Sequence, residues 1–222
     1  MSTEPRAAAR PGPDIARGDA ASVHITHWHA PGPAAARALL DEVAGQWAAA
    51  AWPGGLLSFQ AYLSTDGDTV LTYVQATGPT VHGDLSRTLS GPAAAEAVSY
   101  RLHSSIVLDR SGTPPGAVVI ATFDVDGAEC QDRIVQSVTR AVTEAPAAQR
   151  VGMLSAHFHA STDGSRVLNY AEWTSDEAHR AFLDGAARAA TLRATGATPG
   201  VRPIGFRRFH LHHAITPDRS GT

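Results

Sequence analysis

Residues 55–77 (GLLSFQAYLSTDGDTVLTYVQAT) and residues 152–174 (GMLSAHFHASTDGSRVLNYAEWT) are two versions of one pattern. Aligned at a constant offset of 97, they are identical at 11 of 23 positions. Each has an apolar stretch, a Ser-Thr-Asp-Gly turn and a β-branched stretch, which together are typical of a β-hairpin. The chain therefore contains an internal repeat, and the repeat decides how the rest of the sequence is divided.

The elements before each hairpin also match. Apolar stretches at 22–30 and at 117–125 predict one strand in each half. Each strand is followed by apolar residues at helical spacing: Leu39, Leu40, Val43 and Trp47 in the first half, and Ile134, Val135, Val138 and Val142 in the second. Each half therefore begins with a strand and a helix that are followed by the hairpin.

The segments after each hairpin predict a second helical region and a closing strand. In the first half the region at 80–97 contains Gly83, Gly91 and Pro92, so we expect it to be short and irregular. In the second half Thr174-Ser-Asp-Glu177 fits a capping box, and a helix is predicted to run on to Arg193 with a break at Asp184-Gly185. The closing strands are predicted at 100–108 and at 209–215.

The element order in each half is β-α-β-β-α-β, that of the ferredoxin-like split unit. A single sheet of this kind has a face that needs covering, and two tandem units can stack to cover it. We therefore predict an α+β protein in which two ferredoxin-like units form an intrachain dimeric α+β barrel. The predicted organisation is a flexible leader at 1–20, domains at 21–108 and 117–216, a Gly/Pro-rich linker at 109–116 and a tail at 217–222.

Composition excludes several classes of partner. The 222-residue chain has a net charge of −3, which gives no basic footprint for nucleic acid. No stretch approaches the ~18 apolar residues of a membrane span, so neither nucleic acid nor a membrane is expected as a partner. The single cysteine, Cys130, excludes an intrachain disulfide and favours a reducing, cytoplasmic compartment.

The second half also carries a more specific pattern. From Gly152 to Leu183 the hairpin leads into an Asn-Tyr-Ala-x-Trp strand and then a Ser-x-Glu-Ala-x-x-Ala-Phe helix. This run resembles the antibiotic biosynthesis monooxygenase family of dimeric α+β barrels. The family includes oxygenases that convert anthrones to quinones without a cofactor, tandem-domain oxygenases that open an angucycline ring with reduced flavin, and haem-degrading enzymes.

The resemblance implies an oxygenase that acts with O₂ on a phenolic polycyclic polyketide in antibiotic biosynthesis. It implies four catalytic residues, which are Asn169, Trp173, His179 in place of a family Tyr, and Arg193. Asn169 is expected to hydrogen-bond an oxygen of the substrate, and Trp173 to stack on its rings and donate a hydrogen bond through the indole N–H. His179 is expected to act as base or acid, and Arg193 to bind an enolate oxygen. The aligned positions of the first half are Thr72, Ala76, His82 and Glu96, so the main pocket is expected in the second half.

Histidines recur as i, i+2 pairs on predicted strands. The pairs are His27/His29, His157/His159 and His210/His212, and each shares one face of its strand. No Asp or Glu accompanies them at a familiar metal-binding spacing, so no metal is expected. We expect instead that the substrate is contacted by His157, His159, Tyr170, Phe182, His210 and His212.

The sequence limits the cofactor, the reaction and the partner to a few alternatives. No Gly-rich phosphate loop occurs, so no tightly bound cofactor is expected; O₂ is the implied co-substrate, with reduced flavin in the ring-cleaving relatives. Quinone formation and oxidative ring opening both stay open, as do a homodimer and a flavin reductase partner. A non-catalytic polyketide-binding or accessory protein is an alternative from a different class, and a haem-degrading monooxygenase is a third.

Overall fold

The structure is a computed structural model that describes residues 5–7 and 12–217. These residues form two compact units. Unit 1 contains the described residues up to Tyr100 together with those from Phe209 onwards, and unit 2 is Arg101–Arg208. No helix in the described part of the chain is long and apolar enough to cross a membrane.

Strands and helices follow one another in the order that the repeat predicts. In chain order they are β1 (Pro5–Ala7), β2 (Ser22–His29), α1 (Pro33–Ala49), β3 (Leu56–Ser64), β4 (Thr69–Ala76), α2 (Val81–Ser86), a 3₁₀ helix (Gly91–Ala94), β5 (Val98–Val107), β6 (Ala117–Val125), α3 (Ala128–Glu144), a second 3₁₀ helix (Ala147–Gln149), β7 (Met153–Ser161), β8 (Arg166–Trp173), α4 (Asp176–Leu183), α5 (Ala186–Gly196) and β9 (Val201–Pro217). The α+β class and the two β-α-β-β-α-β repeats are thereby confirmed.

Each hairpin turns at the glycine of its Ser-Thr-Asp-Gly sequence. Gly67 has a φ of 71° and Gly164 a φ of 78°, in the left-handed region that favours glycine. In the second hairpin, Asn169 lies opposite Ala121 of β6 and Phe158 of β7. The turn therefore sets the register that places Asn169 in the middle of the unit 2 sheet.

The long helices bury their apolar stripes against one face of each sheet. In unit 1, Leu40, Val43 and Trp47 of α1 belong to the same core as Phe59 and Val74. In unit 2, the buried stripe of α3 packs with side chains of β6, β7 and β8; its members are Ile134, Val135, Val138 and Val142. The helical spacing in the sequence therefore identified both core-facing surfaces.

The two compact units do not coincide with the two sequence repeats. β5 begins in unit 1 beside β2, but its residues from Arg101 belong to unit 2, where its neighbour is β7. β9 is longer than the predicted 209–215, and its residues from Phe209 pair with β3 in unit 1. The predicted linker at 109–116 lies between β5 and β6, and each unit takes one strand segment from the other repeat.

The start of α4 and the N-terminal segment differ from the predictions. The cap of α4 is shifted by one residue from the predicted capping box, because Ser175 is the N-cap and its Oγ accepts a hydrogen bond from the Ala178 N–H. The segment predicted as a leader contains β1 and the buried Ile15, while residues 1–4 and 8–11 lie outside the described residues, as do residues 218–222 of the predicted tail.

Candidate functional site

Unit 2 contains a cavity of about 310 Å³ on the helix-facing side of its sheet. β6 and β8 form the floor, α3, α4 and α5 form walls, and the unit 2 part of β9 completes the lining. Most lining side chains are apolar, among them Phe123, Val138, Phe182 and Leu192. Leu192 is 53% exposed and Phe206 is 41% exposed, so this apolar surface continues to the protein exterior.

Asn169 and Trp173 both point into the cavity from β8. They lie four residues apart on one strand, so alternation places them on the same face. Asn169 Oδ1 and Trp173 Nε1 are both buried, and neither has a hydrogen-bond partner among the described residues. A buried polar atom without a partner costs about 1–3 kcal/mol, so a ligand that pairs with these atoms would recover that free energy.

His179 enters the cavity from α4, whose first turn is held by the Ser175 cap. Its ring is 3% exposed and packs against Trp173 with 5.0 Å between ring centroids, and against Phe206 with 5.3 Å. His179 Nδ1 is a third buried atom without a described hydrogen-bond partner. Three neighbouring side chains thus present an unpaired acceptor, an unpaired donor and an unpaired imidazole nitrogen to one apolar space.

His179 is neutral at physiological pH. Burial lowers its pKa from 6.5 to about 4; Arg208 and Arg188 lower it as well, and Asp176 acts in the opposite direction. Arg208 Nε lies 4.0 Å from Asp176 Oδ1, so these two side chains form a loose ion pair beside the imidazole. A neutral imidazole has one nitrogen free to accept a proton or a hydrogen bond.

Arg188 lines the cavity, whereas the predicted Arg193 does not. Both lie on α5, but Arg193 is exposed and does not line the cavity. Five residues at 3.6 per turn separate the two side chains by about 140° around the helix, so both cannot face the same space. The sequence held a signal for the correct face, because Arg188, Leu192 and Thr195 follow i, i+4, i+7 spacing and all line the cavity.

Three predicted substrate contacts lie on the opposite face of the unit 2 sheet. His157 is paired with Tyr170, and His159 with Leu168, so their side chains point away from the face that carries Asn169. His157 Nδ1 hydrogen-bonds Ser105 Oγ at 2.8 Å, and burial lowers the pKa of His159 to about 3. The structure therefore does not place His157, His159 or Tyr170 in the cavity.

Of the other predicted substrate contacts, one lines the cavity and two do not. Phe182 lines the cavity, with its ring 5.1 Å from that of Trp173. His210 and His212 lie on the part of β9 that belongs to unit 1, so they do not line the cavity of unit 2. Across residues 5–7 and 12–217, no group of three or more His, Cys, Asp or Glu side chains is arranged to hold a metal ion.

The equivalent region of unit 1 is filled by aromatic rings. His82, which aligns with His179, stacks on His24 with 4.5 Å between centroids and lies 5.6 Å from Trp47. Trp47 in turn stacks on Phe59 at 4.7 Å. Thr72 and Ala76 replace Asn169 and Trp173 and are buried, and Glu96 is exposed. Unit 1 therefore keeps the histidine but has neither the amide nor the indole at the aligned positions.

Comparison with solved structures identifies the fold. An anthrone oxidase-like protein is similar over 89% of this chain and 93% of its own, with a TM-score of 0.69 and 16% identity. A ferredoxin-fold protein from Listeria monocytogenes related to antibiotic biosynthesis monooxygenases covers 93% of this chain and 99% of its own, with a TM-score of 0.47 and 14% identity. A Streptomyces coelicolor monooxygenase, ActVA-Orf6, solved with the ligand nanaomycin D, is 34% identical over 49% of this chain and 92% of its own, with a TM-score of 0.35.

Comparison with protein-family models and with curated proteins finds no match. The fold assignment therefore rests on the structural similarity to the anthrone oxidase-like protein, which spans nearly the whole of both chains. The fold of this chain is therefore similar to that of the anthrone oxidase-like protein.

Proposed function

We propose that the cavity of unit 2 binds a phenolic polycyclic aromatic compound and promotes its oxidation by O₂. The observation that carries the proposal is the set of three buried, unpartnered polar atoms in one apolar cavity: Asn169 Oδ1, Trp173 Nε1 and His179 Nδ1. A flat keto-phenol offers hydroxyl donors, a carbonyl acceptor and an apolar ring face in one rigid molecule.

The lining favours a planar and largely apolar substrate. The indole of Trp173 and the ring of Phe182 offer faces and edges for aromatic packing, which is worth about 0.5–1.5 kcal/mol beyond area burial. Apolar side chains of α3 and β6 limit the access of water, and exclusion of water strengthens the few polar interactions that remain. A small hydrophilic substrate would leave most of this surface unused.

The three polar groups can assist the first step of an oxidation that needs no metal. His179 Nδ1 accepts the proton that the substrate loses, and Trp173 Nε1 donates a hydrogen bond to the enolate oxygen that develops. Asn169 Oδ1 accepts a hydrogen bond from a neighbouring phenolic hydroxyl and fixes the orientation of the ring. The resulting carbanion is electron-rich enough to pass one electron to O₂.

The remaining steps balance without a further oxidant. Recombination of the two radicals forms a carbon–oxygen bond, and the peroxide takes up a proton. Loss of water from this hydroperoxide converts the ring CH₂ to C=O, so one anthrone and one O₂ yield one quinone and one H₂O. The fold neighbour named as anthrone oxidase-like supports an anthrone as the first substrate to test.

The test is oxygen uptake by the purified protein with a hydroxylated anthrone, in the presence of a chelator, with and without reduced flavin. The expected result is uptake without flavin, with one quinone formed for each O₂ consumed. Uptake above background only with flavin would assign the protein to ring-cleaving chemistry. The absence of uptake under both conditions, with the polycycle still bound, would favour the non-catalytic binding protein.

Two His→Gln variants test whether the reaction takes place in the cavity. His179→Gln removes the imidazole in the cavity, whereas His157→Gln removes a buried imidazole on the opposite face of the same sheet. The proposal requires that only His179→Gln lowers the turnover. Equal losses in both variants would indicate a structural effect and contradict the proposal.

A further inference from the structure

Arg188 carries a charge on the cavity wall without a carboxylate to balance it. Its guanidinium donates one long hydrogen bond, 3.4 Å from Nη1 to the Leu183 carbonyl, and has no acidic partner among the described residues. Other arginines of unit 2 are paired: Arg202 with Asp126 at 2.7 Å, Arg180 with Glu177 at 3.0 Å, and Arg166 with Asp124 at 3.3 Å. Arg188 is distinguished because it lines the cavity and has no acidic partner among the described residues.

The surroundings of Arg188 make an anionic ligand favourable. Its side chain is partly buried, and its neighbours in the cavity lining include Leu183, Leu192 and Phe182. A guanidinium that is partly removed from water and unpaired loses solvation without compensation. An anion that enters the cavity supplies the missing partner in a charge-assisted hydrogen bond.

The balance of charge around His179 supports the same conclusion. Two guanidiniums, Arg208 and Arg188, and one carboxylate, Asp176, act on the imidazole, and the cationic groups hold its pKa down. Asp176 lies beside Arg208, so the positive charge that is left uncompensated is that of Arg188. The end of the cavity between α4 and α5 is therefore suited to a negatively charged group.

We propose that Arg188 binds a carboxylate substituent of the substrate, so that the cavity selects acidic aromatic polycycles over neutral ones. This proposal rests on the proposed function, because it takes the cavity as the substrate site. A carboxylate matches the planar guanidinium fork through two oxygens, whereas a phenolate offers one. The ring oxygens already have partners in Asn169, Trp173 and His179.

Binding of a carboxylate has a consequence for His179. Neutralising Arg188 removes one of the charges that lower the pKa of the imidazole. The same substrate that fills the cavity would then make His179 a stronger base. Acidic substrates would gain in affinity through Arg188 and in reactivity through His179.

The experiment measures binding rather than turnover, so it is independent of the oxidation. The probes are anthraquinone-2-carboxylate and its neutral carboxamide, titrated by calorimetry into the full-length protein and three variants. Arg188→Gln removes the charge, Arg188→Lys keeps the charge without the fork, and Arg193→Gln is the control on the exposed face of the same helix. A third probe, 2-hydroxyanthraquinone at a pH where it is ionised, presents a phenolate in place of the carboxylate.

The expected result is a loss of about tenfold or more in affinity for the carboxylate in Arg188→Gln, with a smaller loss in Arg188→Lys and none in Arg193→Gln. Affinity for the carboxamide should stay within about twofold in all variants. Equal losses for both probes would mean that Arg188 only packs against the ring, and a loss as large for the phenolate would overturn the choice of a carboxylate.

The same titration separates this inference from the proposed function. If the wild-type protein binds the carboxamide as tightly as the carboxylate, the cavity still takes polycycles, but the role of Arg188 is wrong. If none of the probes binds, both the role of Arg188 and the substrate class of the cavity are contradicted. As an additional readout, the imidazole resonance of His179 should titrate at higher pH with the carboxylate bound than with the carboxamide bound.

Discussion

At the scale of single residues, the cavity brings together side chains that are costly to bury and places them where a ligand can pair with them. The Trp173 N–H is the clearest case, because the indole is 2% exposed and its Nε1 has no described partner. Trp52 of unit 1 is equally buried, but its Nε1 donates to the Trp47 carbonyl at 2.8 Å. One indole N–H is therefore structural, and the other is available to a substrate.

This contrast predicts opposite effects of one substitution. Trp173→Phe should lower kcat/KM for anthrone oxidation by about 10- to 100-fold, because a hydrogen bond to a developing negative charge is lost, while thermal stability changes little. Trp52→Phe should lower the melting temperature and leave kcat/KM near that of the wild type. Oxygen uptake and thermal denaturation of both variants provide the check, and a large loss of stability in Trp173→Phe would instead make its indole a core residue.

A second residue-scale prediction concerns pH. Because the pKa of His179 is lowered to about 4, neutral imidazole persists well below 6.5, and the acidic limb of kcat/KM should lie near pH 4. Arg208→Gln removes a charge that lowers this pKa and should move the limb upward, whereas Asp176→Asn should move it downward. A limb at 6.5 that neither variant shifts would exclude His179 as the titrating group.

At the scale of elements, α4 supplies His179, Phe182 and Leu183 to the lining of the cavity. It is only eight residues long and carries both His179 and Phe182, so its first turn needs the cap that Ser175 provides. Short helices are marginal without tertiary contacts and caps. The position of the imidazole is therefore linked to the Ser175 hydroxyl, which does not line the cavity.

Removing the Ser175 cap should lower the stability of α4. Ser175→Ala is expected to lower the free energy of unfolding by about 1 kcal/mol and to speed hydrogen exchange of the Ala178 amide, whose acceptor is lost. Ser175→Asp keeps an acceptor at the N-cap and should restore protection. Unchanged exchange at Ala178 in Ser175→Ala would show that the cap does not hold this turn.

The elements also show which parts of the structure the sequence predicts. Hairpins, helices and the face shared by Asn169 and Trp173 follow from periods of 2 and 3.6 residues and from turn glycines, which are local signals. The resemblance implies Arg193 by alignment alone, and alignment does not show which face of α5 a residue occupies; Arg193 lies outside the cavity lining. Alternation shows that His157 and His159 share a face of β7, but it does not show which face borders the cavity.

At the scale of the whole molecule, several histidines are buried in the neutral form. The pKa is lowered to about 4 in His24, His82 and His179 and to about 3 in His159, in each case chiefly because burial disfavours the charged imidazole. In the unfolded chain these groups take up protons near 6.5. The unfolded state therefore binds more protons than the folded state in the interval between these values.

The buried histidines make the stability of the fold depend on pH. Stability from these histidines is fully present above pH 6.5 and is lost as the pH falls towards 4, by up to about 1.4 kcal/mol per pH unit for each group. Urea denaturation between pH 7 and pH 4 should show a steep decline, and His82→Phe, which keeps a ring beside His24 and Trp47, should make it shallower. A flat profile would mean that these imidazoles are not neutral in the folded state.

The shared strands have a consequence for the ancestry of the chain. Residues 98–107 of the first repeat supply strand to both compact units, and so do residues 201–217 of the second. A protease cut in the exposed stretch near Ser111 should therefore leave two fragments that elute together, since each holds a strand the other needs. A gene duplication that reached this arrangement is hard to reverse. Loss of either copy would remove a strand segment from the unit that remains.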